Sequence, residues 1–150
     1  MNIKLLCCAA LAFSVSTDPL LPATDEAAAQ VRKVRLNLVG FEHARQLILG
    51  GHVVDDIKGR WRVDQASTEK ENEFIRGKGF ADYAMWHLGI DDRHPENTKA
   101  RYKFPFGDFV NVHRCGLIAV KMRAREYDYS EISVAADKLL SEIELTRPRW

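Results

Sequence analysis

Cysteine is scarce in this chain: Cys7, Cys8 and Cys115 are the only three in 150 residues. The first two are adjacent in an apolar opening, so the remaining body carries one thiol and cannot close a disulfide within itself. No Cys-x-x-Cys occurs, which excludes a cysteine-built zinc site. Charge of one sign is also lacking, with 22 basic against 21 acidic residues and a formal net charge of +1. That balance argues against a partner recruited by bulk electrostatics. No long apolar run is present: Leu5–Phe13 is too short to cross a bilayer. A Walker loop, a dinucleotide fingerprint, a Gly-x-Ser-x-Gly elbow and a His-Glu-x-x-His pair are all missing. With them go the sequence grounds for the nucleotidase, oxidoreductase, hydrolase and metalloprotease classes they mark.

What is there suits one core. Apolar and aromatic residues make up 46% of the chain, enough for one small domain and too little for two ordinary ones. Residues 1–16 form an apolar leader with Lys4 in front and Ser14 and Ser16 behind, the pattern of a secretory signal or of an upstream extension. Residues 17–30 read as a linker, 31–145 as a single globular domain and 146–150 as a tail. The expected location is cytoplasmic, or secreted or periplasmic where residues 1–16 are a cleaved signal.

The expected fold is a mainly α, small single domain of four to five helices with short extended or two-stranded segments. Val31–Val39 alternates basic and apolar residues and suits a short strand. Phe41–Leu49 has helical apolar spacing and Gly50-Gly51 behind it as a stop. His52–Val63 reads as an extended or hairpin-like piece. Thr68 and Glu71 fit a capping box for a helix ending near Gly77. Phe80, Ala84 and Leu88 predict a second short helix ended by Gly89. Tyr102–Gly107 is extended, because Pro105 turns Phe104 out of the helical region. Val112–Glu126 and a last helix capped by Asp128 follow, the latter with Ile132, Ala135, Ala136, Leu139, Leu140 and Ile143 on one face. Trp61, Trp86, Tyr83 and Phe80 are expected in the core.

Several groups of residues have chemistry to offer. His87, His94, His113 and Cys115, with Asp91 and Asp92 nearby, are metal-ligating types, but none form the i,i+4 pair that fixes a helical ligand edge. The ordinary reading is structural, with Cys115 packed as a small apolar residue. His87, His113 and Cys115 form the alternative site of a metal- or thiol-dependent enzyme, in which Cys115 at a helix start gains from the helix dipole. Asp91, Asp92 and Glu96 offer paired carboxylates for acid–base work, against the commoner use of loop acids in capping and solvation. Nothing in the pattern calls for a cofactor.

Charge is unevenly placed. Seven cations between Lys99 and Arg125 face only Asp108, and the stretch from Asp128 to Glu144 holds five acids and Lys138. In a strand Lys99, Arg101 and Lys103 would share one side, with Tyr102 and Phe104 on the other. With Arg114 and Arg125 they make a candidate basic strip for nucleic acid or another protein. The plainer reading is an amphipathic strand whose aromatics face the core and whose cations face water.

Four linked motifs carry a resemblance: Ser-Thr-Glu-x-Glu-Asn-x-Phe-Ile at 67–75, Trp-His-Leu-Gly-Ile-Asp at 86–91, Thr-Lys-x-Arg-Tyr-Lys-Phe-Pro-x-Gly-Asp-Phe at 98–109 and Val-His-Arg-Cys-Gly at 112–116. They resemble a family of small uncharacterised bacterial and phage-associated proteins, some linked to capsid-maturation (prohead) protease-like proteins. The resemblance covers roughly residues 41–140. It implies a non-enzymatic binding or accessory protein of phage origin and transfers no catalytic role. Lys121–Glu126 is more heavily charged than the related segments, and the leader at 1–16 is foreign to them.

Overall fold

The computed structural model describes residues 34–147. The leader at 1–16, the linker at 17–30 and the last residues of the tail lie outside the described residues. The domain is mainly helical, as expected, with five helices and a few short strands. Among the described residues no helix is long and apolar enough to cross a membrane.

Strands β1 (Arg35–Leu36), β3 (His87–Ile90) and β4 (Tyr102–Pro105) form an antiparallel sheet with β3 in the middle. Leu36 pairs with Gly89, and Gly89 pairs with Lys103. A separate parallel pair joins β2 (Val53–Val54) to β5 (Val112–His113). The helices are α1 (Leu38–Leu49), α2 (Trp61–Asp64), α3 (Thr68–Ala84), α4 (Arg114–Glu126) and α5 (Ser130–Thr146).

The core is filled by Leu88 and Phe106 from the sheet region, Ala44 and Ile48 from α1, and the facing stripes of α4 and α5. Leu117, Val120 and Ala124 meet Ile132, Ala136 and Leu139, all 2% exposed or less. The opposite charges noted between these two segments then close on each other: Lys121 and Arg125 pair with Asp137, and Arg114 pairs with Glu144.

The helices expected at 41–49 and after residue 128 are present. Other expectations change. The helix from Phe80 stops at Ala84, and His87–Ile90 is the central strand. The four-residue spacing of Phe80, Ala84 and Leu88 does imitate a helix. Pairing on both edges of β3 and complete burial of Leu88 (0% exposed) outweigh that local pattern. Gly79 takes φ +86 and breaks α3 where the gap between two helices was expected. At 52–63 the extended alternative holds for Val53–Val54, but the strand pairs with β5, far along the chain, not in a hairpin, and Trp61–Asp64 is helical.

Asp128 does not cap α5. It adopts φ +58 and closes α4 in a Schellman turn, in which the Tyr129 N–H donates to the Ala124 carbonyl and the Asp128 N–H to that of Arg125. Asp is one of the few residues other than Gly that enters this region readily.

The α3 cap also sits one residue earlier than expected. Ser67 is the N-cap, and its Oγ accepts the Lys70 N–H at 3.3 Å, while Glu71 pairs with Lys99. Ser67→Ala is therefore expected to cost about 1 kcal/mol in chemical denaturation. Thr68→Ala should change stability by less than about 0.5 kcal/mol. The reverse order would restore the cap to Thr68.

Candidate functional site

Two regions combine polar chemistry with access, and they meet at Cys115, with Trp61 standing beside His113. The first is a polar centre built by the parallel pair. Val53 lies beside Val112 and Val54 beside His113, so the residues just beyond each strand leave the same end of the ladder. Asp56 thereby reaches the start of α4. That start has no side-chain cap of its own. Asp56 supplies one from across the fold: Oδ1 accepts the Cys115 N–H at 2.6 Å. Its Oδ2 accepts from the Cys115 thiol at 2.6 Å and lies 2.8 Å from His113 Nδ1.

His113 is enclosed, its side chain 7% exposed, with Nε2 lying 3.6 Å from Asp108 Oδ2. Asp108 is itself fixed, because Oδ1 accepts the N–H groups of Val110 and Asn111 at 3.0 and 2.7 Å. Asp64, at the end of α2, is held by Arg60 through contacts of 3.1 and 3.3 Å. One ligand atom each from Asp56, Asp64, His113 and Cys115 lie within 4.8 Å of one another. Asp56, Asp64 and His113 open onto a shallow depression of about 640 Å³ that also reaches Arg60 and Asp108, while Cys115 faces the neighbouring groove.

Burial, followed by the hydrogen bond to the Asp56 carboxylate, pushes the Cys115 thiol up to about 12. It is therefore kept protonated, the opposite of an activated nucleophile. Burial also works to raise Asp56, but the hydrogen bonds from the Cys115 thiol, the Cys115 N–H and His113 outweigh it and hold the carboxyl below its ordinary range.

The second region is a groove made of two adjoining depressions, of about 640 and 1010 Å³, which share Trp61, Gln65, Ala119 and Arg123. Phe104, Tyr127 and Tyr129 add aromatic faces to Trp61 in the first, and Ile118 and Met122 floor the second. Pro105 disfavours the right-handed helical region for Phe104, which takes φ +62 rather than the ordinary extended value. Its ring then stands edge-on to Tyr129 at 5.9 Å. Gly89 makes room for it, since a Cβ there would fall 2.7 Å from the Phe104 ring. Five cations line the groove, namely Lys58, Arg62, Arg93, Lys103 and Arg123. The single lining carboxylate, Asp91, is 1% exposed in its side chain and already bonded to Arg93 at 2.6 and 2.8 Å.

The sequence candidates are distributed differently from either expected set. His113 and Cys115 do meet, on Asp56. His87 stands apart from them, buried beside Tyr83 and Tyr102 with Nδ1 on the Tyr83 carbonyl at 2.9 Å. His94 lies 3.7 Å from Asp91. Asp91, Asp92 and Glu96 form ion pairs with Arg93, Arg35 and Arg101 and do not face one another as an acid–base pair.

Four of the five basic-strip residues are held in ion pairs. Lys99–Arg101 is a 3-10 turn, so alternation begins only at Tyr102. Lys99 pairs with Glu71 at 2.7 Å, Arg101 with Asp92 at 2.8 Å, Arg114 with Glu144 at 3.2 Å and Arg125 with Asp137 at 3.5 Å. Lys103 is the member of the strip that lines the groove.

Sequence reasoning missed Asp56 and Asp64, and it assigned Trp61 to the core although Trp61 is only half-buried. The one available signal was the acid pair Asp55-Asp56 directly after the apolar Val53-Val54. No protein-family model, curated protein or solved structure matches this chain.

Proposed function

We propose that the protein is a non-enzymatic accessory module, of phage origin as its motifs imply, that holds a single-stranded nucleic acid in the groove between α2, α4 and β4. The observation that carries this reading is the lining: five cations against one carboxylate already neutralised by Arg93, set around aromatic faces. Lys58, Arg62 and Lys103 make no ion pair among the described residues, so their charge is available to phosphates. Bases would stack on Trp61, Phe104 and Tyr129 while phosphates follow the cations. The expected strip around Lys99–Lys103 contributes through Lys103. A thiol-dependent enzyme has less support, because Asp56 and burial keep Cys115 protonated.

Fluorescence anisotropy with labelled single-stranded DNA and RNA of mixed sequence tests this. Affinity should fall steeply with salt. Lys103→Glu should make the log–log salt slope shallower by about 1, whereas Arg114→Gln should leave it unchanged. Trp61→Ala should cost about 1–3 kcal/mol of binding. Absence of binding at low salt would overturn the nucleic-acid reading and turn attention to an acidic protein segment in the same groove.

A further inference from the structure

We propose that Asp56, Asp64, His113 and Cys115 form a binding site for a divalent transition metal, zinc by the character of its ligands, beside the groove that Cys115 also borders. One sulfur, one imidazole nitrogen and two carboxylate oxygens make a donor set that zinc accepts readily. The four ligand atoms lie within 4.8 Å of one another. Bonds of about 2.0–2.3 Å would bring them to tetrahedral edges of about 3.3–3.8 Å. The Asp56 Oδ2 contacts at 2.6 and 2.8 Å would widen and the longer ones close, the movement falling on the exposed segment between Asp56 and Asp64, where Ile57 is 75% exposed and Val63 73%.

The independent observation is His113. Its side chain is more than nine-tenths buried, and Nε2 has no hydrogen-bond partner. Nδ1 faces Asp56 Oδ2 at 2.8 Å and Nε2 faces Asp108 Oδ2 at 3.6 Å. A neutral imidazole carries one proton. In that form, whichever nitrogen holds the proton, the other aims a lone pair at a carboxylate. A second ring proton removes the conflict, and so does a metal cation on Nδ1, with the ring proton then on Nε2 and directed to Asp108. This is the carboxylate–histidine–metal relay that fixes ring orientation at many metal sites.

Charge also balances. Two carboxylates and a thiolate around a divalent ion leave one negative charge, and Arg60, bonded to Asp64 at 3.1 and 3.3 Å, cancels it. On binding, the Cys115 S–H bond breaks, a sulfur–metal bond forms and the proton passes to solvent, so affinity should weaken as pH falls. With four protein ligands the site is closed, which is the structural type. It would staple the loop carrying α2 to the start of α4.

The test is titration of the full chain, freed of metal by chelator, with Co²⁺. A thiolate-to-cobalt charge-transfer band should saturate at one equivalent, be bleached by Zn²⁺ and be absent in Cys115→Ser. Asp64→Asn should weaken Co²⁺ binding at least tenfold with an unchanged circular dichroism spectrum. This side chain is 20% exposed, so the second variant keeps the test valid if Cys115→Ser fails to fold. No band in the wild-type chain, a full band in Cys115→Ser, or unaltered affinity in Asp64→Asn would each overturn the site.

Discussion

Gly40→Ala should destabilise the protein by about 3 kcal/mol or more, at the upper end of the usual cost of overpacking. Helix propensity alone points the other way, since Ala in a helix interior is favoured over Gly by about 1 kcal/mol. Packing decides the sign. A Cβ at residue 40 would fall 2.2 Å from the His87 carbonyl oxygen and 2.9 Å from Asn37 Nδ2. Both neighbours are fixed. Asn37, 2% exposed, donates from Nδ2 to the carbonyls of Ala84 and His87 at 2.8 and 2.9 Å, and its own N–H donates to Leu88. Relief would require α1 to lift off β3, breaking the junction that joins helix to sheet. Gly77→Ala is the matched control. Nothing lies within 4 Å of a Cβ there, and the change should stabilise by about 0.5 kcal/mol through the unfolded chain. Urea denaturation of the two variants checks the opposite signs. A Gly40→Ala protein as stable as wild type would refute the close helix–strand contact.

Acidification should weaken the fold as pH falls from about 6.5 towards 4. Burial drives His87 down to about 4 from its ordinary 6.5, with the hydrogen bond to the Tyr83 carbonyl only partly opposing. The unfolded chain therefore binds a proton at residue 87 between these values while the folded chain stays neutral. Stability must fall as pH drops through that window. At about 1.4 kcal/mol for each pH unit separating the two values, roughly 3 kcal/mol is lost, most of it by pH 4.5. His43 is lowered by burial too and adds in the same direction. Asp91 acts lower. Asp91 is held at about 2, by the Arg93 hydrogen bond above all, so its stabilising share persists above its ordinary 3.8 and disappears only as pH falls through about 2. Urea midpoints at pH 7 and pH 4.5 separate the groups. His87→Gln, folded at pH 7 by circular dichroism, should lose much less stability between the two pH values than wild type. An equal loss in both proteins would assign the effect elsewhere.

What could be read from the residues alone was what is local. The apolar face of α5 and the Gly50-Gly51 stop after α1 obey short-range rules, and both elements stand where spacing put them. The mainly helical class followed from the same periodicities. Errors arose wherever a distant partner decided. Nothing near Trp86–Leu88 announces that Arg35–Leu36 and Tyr102–Pro105 will flank it. The polar centre is the extreme case. Its hydrogen bonds span 57 and 59 residues, so Asp56 gains its meaning only when β2 lies parallel to β5. His113 and Cys115 could be noticed because they are close in sequence. Their organising carboxylate could not. Counting charges likewise does not show which acids the fold brings to Lys99, Arg101, Arg114 and Arg125.

Trp61 is a shared wall. Its ring lies 5.7 Å from that of His113, lines both halves of the groove, and closes over Gly116, where a Cβ would meet it at 3.0 Å. An occupant on one side that shifts this indole also changes the setting of the imidazole on the other. The two equilibria are then linked, and thermodynamic reciprocity requires each occupant to alter the other's affinity by the same factor.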